Sequence, residues 1–162
     1  MCSVLHQQVQ AKTAAFLLPA IQHLLDYPRR KPGAPRILIL TPTRELAMQV
    51  AEQAEELTQF THLKIATITG GVAYQNHGEV FNSNQDIVVA TPGRLLQYIK
   101  EENFDCRAVE ILIFDEADRM LQMALAKMRR KLPLKRVGVN KPFFSLHIRR
   151  GVISRFCRSF IK

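Results

Sequence analysis

The sequence predicts an α/β fold: a mostly parallel sheet with helices on both faces, a three-layer sandwich. Three observations point there. Four short apolar runs of strand length are spaced along residues 36–114. Helical patterns or breakers separate them, and the chemistry-bearing residues gather where the runs end. Hydrophobic residues make up 47% and charged residues 23% of 162 positions, ordinary usage that excludes a fully disordered or collagen-like chain.

The elements follow in order. Arg36 to Thr41 (RILILT) is a continuous apolar run after the breakers of 29–35, as expected for a strand buried on both faces. Thr43 to Phe60 places Leu46, Val50, Ala54 and Leu57 near helical spacing with charges between them, which predicts an amphipathic helix. Leu63 to Thr69 (LKIATIT) is a second strand stopped by Gly70 and Gly71, and Ala73 to Phe81 is expected to form a short helix. Asp86 to Thr91 (DIVVAT) is a third strand. Pro92 begins the next helix, because proline is tolerated in a first turn. Val109 to Phe114 (VEILIF) is a fourth strand ending in Asp115, Glu116 and Asp118. Phe60 and Phe81 are expected in the core, and His62 and His77 on the surface.

The charge is uneven. Residues 1–121 hold all 14 acidic residues and 11 of the 23 Lys and Arg, a net −3, whereas residues 122–162 hold the other 12 basic residues and no acid, a net +12. The overall +9 therefore reports on the tail. No run reaches the roughly 18 apolar residues of a membrane span, and the N-terminus has no signal-peptide pattern, so a soluble, cytoplasmic protein without membrane contact is expected. Cys2, Cys106 and Cys157 have no metal-ligand spacing and read as free thiols.

Function in such sheets concentrates at the carboxyl ends of the strands. Here those ends read TPTRELA, TGG, ATPGR and FDEAD. Singly, each is explained by loop punctuation or helix capping. In this order, Pro42 to Ala47, Gly70-Gly71, Thr91 to Arg94 and Asp115 to Asp118 resemble the motifs of the first RecA-like domain of DEAD-box RNA helicases, over residues 12–121. The finer wording of RILILTPTRELAMQV, ITGGVAYQNH and GRLLQYIKEENFDCRAVE is similar to bacterial members of the family that act in ribosome assembly.

The resemblance implies a RecA-like domain and ATP hydrolysis coupled to RNA unwinding, with ATP and Mg2+ as cofactors. It implies that Asp115 helps hold the magnesium and that Glu116 positions the attacking water, the two catalytic carboxylates. Asp118 would link the nucleotide site to other motifs. Lys12 and Thr13 stand where the family has its phosphate lysine and magnesium-binding threonine. Pro42, Thr43, Arg44, Glu45, Gly70, Gly71, Thr91, Pro92, Gly93 and Arg94 would grip single-stranded RNA by its backbone: helix-terminal amides favour phosphate oxygens, glycines permit close approach, and two arginines supply charge. The implied partner is RNA, in particular ribosomal RNA or pre-ribosomal particles. For Arg44 an intrahelical ion pair is the competing role.

The sequence departs from the family at both ends. A phosphate loop reads GxxxxGKT, and this chain has VLHQQVQAKTAAF; side chains at Gln10 and Ala11 obstruct a cradle that needs glycine. The adenine-reading glutamine segment is missing, as are the SAT motif expected after Leu121 and the second RecA-like domain. One cause accounts for both ends. The permitted codons GTT CTG CAC CAA CAG GTA CAG GCA AAA encode VLHQQVQAK, and read from a preceding G in another frame they give GSAPTGTGK, an intact phosphate loop. Codons for RVGVNKPFFSLH, read from their third positions, likewise give RWRKQTLLFSA, similar to the family stretch before SAT. The expectation is therefore a displaced reading frame before about Lys12 and after about Leu121, leaving an aberrant segment 1–11, an incomplete RecA-like domain at 12–121, and an aberrant basic tail at 122–162. The gene's codons decide it.

The leading reading is a fragment of an ATP-dependent RNA helicase, a hydrolase impaired when alone. A non-catalytic, basic RNA-binding fragment is the alternative. An unrelated metabolic α/β enzyme would need a GxGxxG or intact phosphate loop, and neither is present.

Overall fold

The computed structural model describes residues 2–29, 33–71, 84–105, 108–120 and 146–148, and for 2–10 and 146–148 the backbone alone. Its elements are α1 (Cys2–Asp26), β1 (Ile37–Leu40), α2 (Arg44–Thr58), β2 (Ile65–Ile68), β3 (Ile87–Ala90), α3 (Pro92–Lys100), β4 (Ile111–Phe114) and β5 (Leu146–Ile148). All four strands expected from the apolar runs form, each shortened to four residues of its run, the central four in β1 and β3 and the last four in β4. The helix expected at 73–81, with His77 and Phe81, lies outside the described residues.

The sheet order is β2-β3-β1-β4-β5. The first four strands are parallel and in step: Ile39 stands between Val89 and Ile113, and Ile37 between Ile87 and Ile111. Side chains alternate between two faces, and both are covered, which is why these strands read as unbroken apolar runs. On one face Ile37, Ile39, Ile87, Val89 and Ile113 pack under Leu17, Ala20, Ile21 and Leu24 of α1 and Ala47, Val50, Ala51 and Ala54 of α2. On the other, Leu38, Leu40, Ile68, Val88 and Leu112 pack under Leu95, Tyr98 and Ile99 of α3. This is the expected three-layer sandwich.

Three features differ from the sequence reading. The buried stripe of α2 is Ala47, Val50, Ala51, Ala54 and Thr58, while Leu46 is only partly buried and Leu57 is 41% exposed. Small side chains face the sheet because they allow the helix close to it, and the larger ones are displaced to the flanks. Phe60, expected in the core, is 93% exposed, since it lies past the end of α2 where the chain turns through Thr61. His62 is exposed, as expected. Finally, α1 begins at Cys2, ahead of Lys12 and Thr13; VLHQQVQAKTAAF contains no Gly or Pro and several good helix formers.

β5, from the basic tail, runs antiparallel to β4, pairing Leu112 with Ile148 and Phe114 with Leu146. It covers the β4 edge of the sheet. At the amino-terminal end of the sheet, Glu110 accepts from Arg36 (2.9 Å) and meets the His23 ring (2.8 Å), tying α1 to β1 and β4. Arg36 is 8% exposed, so the carboxylate is its charge partner in a nearly dry place.

Candidate nucleic-acid interface

The sheet order sets the motifs side by side. Each residue that follows a strand is tied by its amide to the neighbouring strand: Thr91 to the Ile68 carbonyl (3.0 Å), Thr41 to that of Ala90 (3.0 Å) and Asp115 to that of Leu40 (2.9 Å). Along one edge, the end of β2 with Gly70 and Gly71 is therefore followed by Thr91-Pro92-Gly93-Arg94, then Pro42-Thr43-Arg44-Glu45, then Asp115 and Glu116. A parallel sheet collects motifs far apart in sequence on one side, with β1 as the central strand.

At the start of α2, Pro42 is buried and Thr43 is the N-cap, its Oγ1 accepting from the Leu46 amide (3.3 Å) and its carbonyl from Thr41 Oγ1 (3.2 Å). Glu45 follows in the first turn, exposed, where an acid complements the helix dipole. Arg44 is exposed and its guanidinium lies over Gly71: a Cβ built on Gly71 would come within 3.1 Å of Arg44 Nη1. Gly71 has φ +78°, and it is this backbone conformation that calls for glycine there. Among the described residues Arg44 has no ion pair, which removes the competing role considered for it.

Around Gly93 and Gly70 no heavy atom lies within 4 Å of where a Cβ would stand. Thr91 caps α3 by position, yet its side chain makes no cap hydrogen bond, and Pro92 fills the first turn. Arg94 is partly buried, donating to Gln97 Oε1 (3.0 Å) with its guanidinium carbon 5.8 Å from the Tyr98 ring centroid. Arg94 is thus held against its own helix, while Arg44 reaches across to a second motif. The Arg-x-x-x-Tyr spacing was the available signal for Tyr98, and sequence reasoning missed it.

Asp115 is partly buried. Burial, followed by the neighbouring Glu116 charge, pushes its carboxyl above the ordinary value, and the Glu116 amide and the Lys12 ammonium work the other way. Glu116 is exposed, has φ +50° and pairs with Arg119 (3.0 Å). That conformation costs a non-glycine residue about 1–2 kcal/mol, and an exposed pair at this spacing returns little of it. Asp118 is exposed in the short helical stretch 117–120 that follows.

A carboxyl whose pKa is higher folded than unfolded holds its proton more tightly in the folded state, so it destabilises the fold above that pKa and ceases to as the pH falls through it. Asp115→Asn is therefore expected to raise the melting temperature at pH 7, with the gain shrinking as the pH is lowered towards the carboxylate range. Melting curves of both proteins across pH check it.

The phosphate side is built differently. Lys12 and Thr13 lie within α1, Lys12 exposed and Thr13 2% exposed. Inside a helix that starts at Cys2, the amides of residues 6–13 are directed to carbonyls four residues back. A nucleotide's phosphates need those amides on a glycine-rich loop and an accessible hydroxyl for the cation. These residues do not fit ATP. Among the described residues, no group of three His, Cys, Asp or Glu is placed to hold a metal ion, and no helix is long and apolar enough to cross a membrane.

Comparison with known proteins agrees with the strand-end pattern. The sequence model of the family described as DEAD/DEAH box helicase matches residues 11–143. The chain is 85% identical over 121 residues to the ATP-dependent RNA helicase SrmB of Haemophilus influenzae, covering 75% of this chain and 28% of that protein. It is 78% identical over 116 residues to that of Escherichia coli, covering 72% and 26%. Among solved structures it is similar to the yeast DEAD-box splicing factor Prp28 (TM-score 0.65, 29% identity, 74% of this chain and 29% of that one). It is also similar to a hypothetical ATP-dependent RNA helicase from Sulfolobus tokodaii (TM-score 0.62, 36% identity, 72% and 32%). The chain spans about a quarter of the length of the curated relatives it matches. With most of its residues matched by the family model and the four strand-end motifs aligned along one sheet edge, the chain belongs to the DEAD/DEAH box helicase family.

Proposed function

We propose that this chain is a portion of an ATP-dependent RNA helicase whose strand-end edge holds single-stranded RNA by its backbone, without driving ATP turnover itself. Pro42, Thr43, Arg44, Glu45, Gly70, Gly71, Thr91, Pro92, Gly93 and Arg94 form the contact surface. Amides at the starts of α2 and α3 meet phosphate oxygens, and Arg44 pairs with a phosphate. Such contacts carry no base sequence, so binding is indifferent to sequence. Asp115, Glu116 and Asp118 keep the family's catalytic positions, and residues 12–121 are the genuine domain between frame-displaced ends. Ribosomal RNA or a pre-ribosomal particle in the cytoplasm is the setting, on the strength of the ribosome-assembly role that the sequence resemblance implies.

The observation that carries the reading is the Arg44 guanidinium seated over Gly71, which joins two motifs from separate strands beside the open approach at Gly93. Arg44→Ala is expected to weaken binding of a single-stranded RNA about tenfold or more at low salt, the worth of a charge-assisted hydrogen bond. Gly71→Ala should also weaken binding with the arginine still present, because it strains the φ +78° turn that seats the guanidinium and crowds Arg44 Nη1. Fluorescence anisotropy with a labelled oligonucleotide measures both. Unchanged affinity in both variants would remove the strand-end edge as the RNA site.

A further inference from the structure

A phosphate loop and a helix make opposite uses of the same amides. In the loop, glycines turn successive N–H groups towards the anion, and the helix begins only after the lysine. In this chain the helix begins ahead of it: α1 is continuous from Cys2 to Asp26, and Lys12 and Thr13 stand well inside it. Helix formers replace the glycines that would break the run. The displaced frame expected above would place glycine opposite Val4, Val9 and Ala11, the positions where the run is now helical. Thr13 is packed inside the protein at 2% exposure, not turned towards a cation. Lys12 is on the surface, near enough to Asp115 for its charge to favour the carboxylate.

The RNA-facing edge is built independently of this. Gly71, Arg44 and the starts of α2 and α3 depend on β1, β2 and β3, and Thr91 and Thr41 are anchored to the carbonyls of Ile68 and Ala90. The two amide anchors of that set lie outside residues 2–13.

We propose that α1 closes the nucleotide position of this chain, so that the edge binds single-stranded RNA without nucleotide and without responding to it. The second half rests on the RNA reading above; the first does not. A helicase domain of this form is a constitutive RNA clamp, its grip set by salt and RNA concentration alone.

The test uses the full chain and Mg-ADP and a non-hydrolysable Mg-ATP analogue as probes. Calorimetric titration and thermal melting are expected to show no saturable heat and no shift in melting temperature at millimolar nucleotide. RNA affinity with and without nucleotide should differ by far less than the roughly fivefold at which two sites are counted as coupled. The double variant Val9→Gly, Ala11→Gly, which breaks the helix ahead of Lys12, should acquire a nucleotide-dependent melting shift. Saturable nucleotide binding by the unaltered chain, lost in Lys12→Ala, would overturn the proposal. So would a double variant that folds, with lower helix content by circular dichroism, yet gains no shift. Failure of the unaltered chain to bind RNA would sink the RNA reading and leave the nucleotide measurements to decide the closure of the site.

Discussion

Neutralising the basic tail is expected to remove most of the salt dependence of RNA binding. Residues 122–162 carry 12 Lys and Arg without an acid, against a net −3 for the rest of the chain. Each phosphate neutralised contributes about 0.7 to the slope of log affinity against log salt for a single strand. Even half of those cations engaged would therefore dominate the slope, whereas Arg44 and Arg94 contribute at most two contacts. Simple deletion of the tail is a poor test, because Leu146–Ile148 pairs with β4 as β5. The better variant ends after Ile148 and replaces Lys127, Arg129, Arg130, Lys131, Lys135, Arg136 and Lys141 with Gln, which removes every tail cation and keeps the strand. Its slope should fall far below that of the unaltered chain, while Arg44→Ala lowers affinity with little change in slope. A slope unmoved by the tail variant but binding abolished by Arg44→Ala would make the tail a bystander. The opposite pattern, with Arg44→Ala silent, favours the tail as an RNA-binding segment in its own right.

The strands were legible because burial on both faces leaves a mark that needs no partner to read: ILIL, IVVA and ILIF are continuous, β-branched and bounded by Thr, Asp or Pro. The strand-end motifs were legible as a series for the same reason, since a parallel sheet brings every carboxyl end to one side. What joins them was not. The seat of Arg44 on Gly71 depends on where α2 starts relative to the end of β2, and the left-handed backbone of Glu116 is imposed by the turn out of β4. Neither has a local sequence signal. The start of α1 had no assignment in the sequence beyond an aberrant segment at 1–11, although the residues present there favour a helix. The α2 stripe failed on size. Periodicity marks Leu46 and Leu57 as strongly as Ala47 and Ala54, and only the distance between helix and sheet decides which set goes inside.

That difference separates two large hydrophobic residues by their expected cost. Ile39 is fully buried at the centre of β1, between Val89 and Ile113, under α1 and α2. Ile39→Ala removes most of a side chain from a place that four elements hold apart, so the space cannot collapse, and the expected loss is about 3–4 kcal/mol, within the range for such truncations. Against a domain stability of about 5–15 kcal/mol that is a large fraction. Phe60 has the larger side chain, and 93% of it is in water already. Phe60→Ala is therefore expected to change stability by less than about 0.5 kcal/mol, the ordinary scatter of surface substitutions. Urea unfolding of the two variants and the unaltered chain measures both, with the slope of the transition confirming that each unfolds from the same folded state. A cost above about 2 kcal/mol for Phe60→Ala would mean that its ring packs against the protein after all, as its composition alone suggests, and that the chain beyond α2 turns inward.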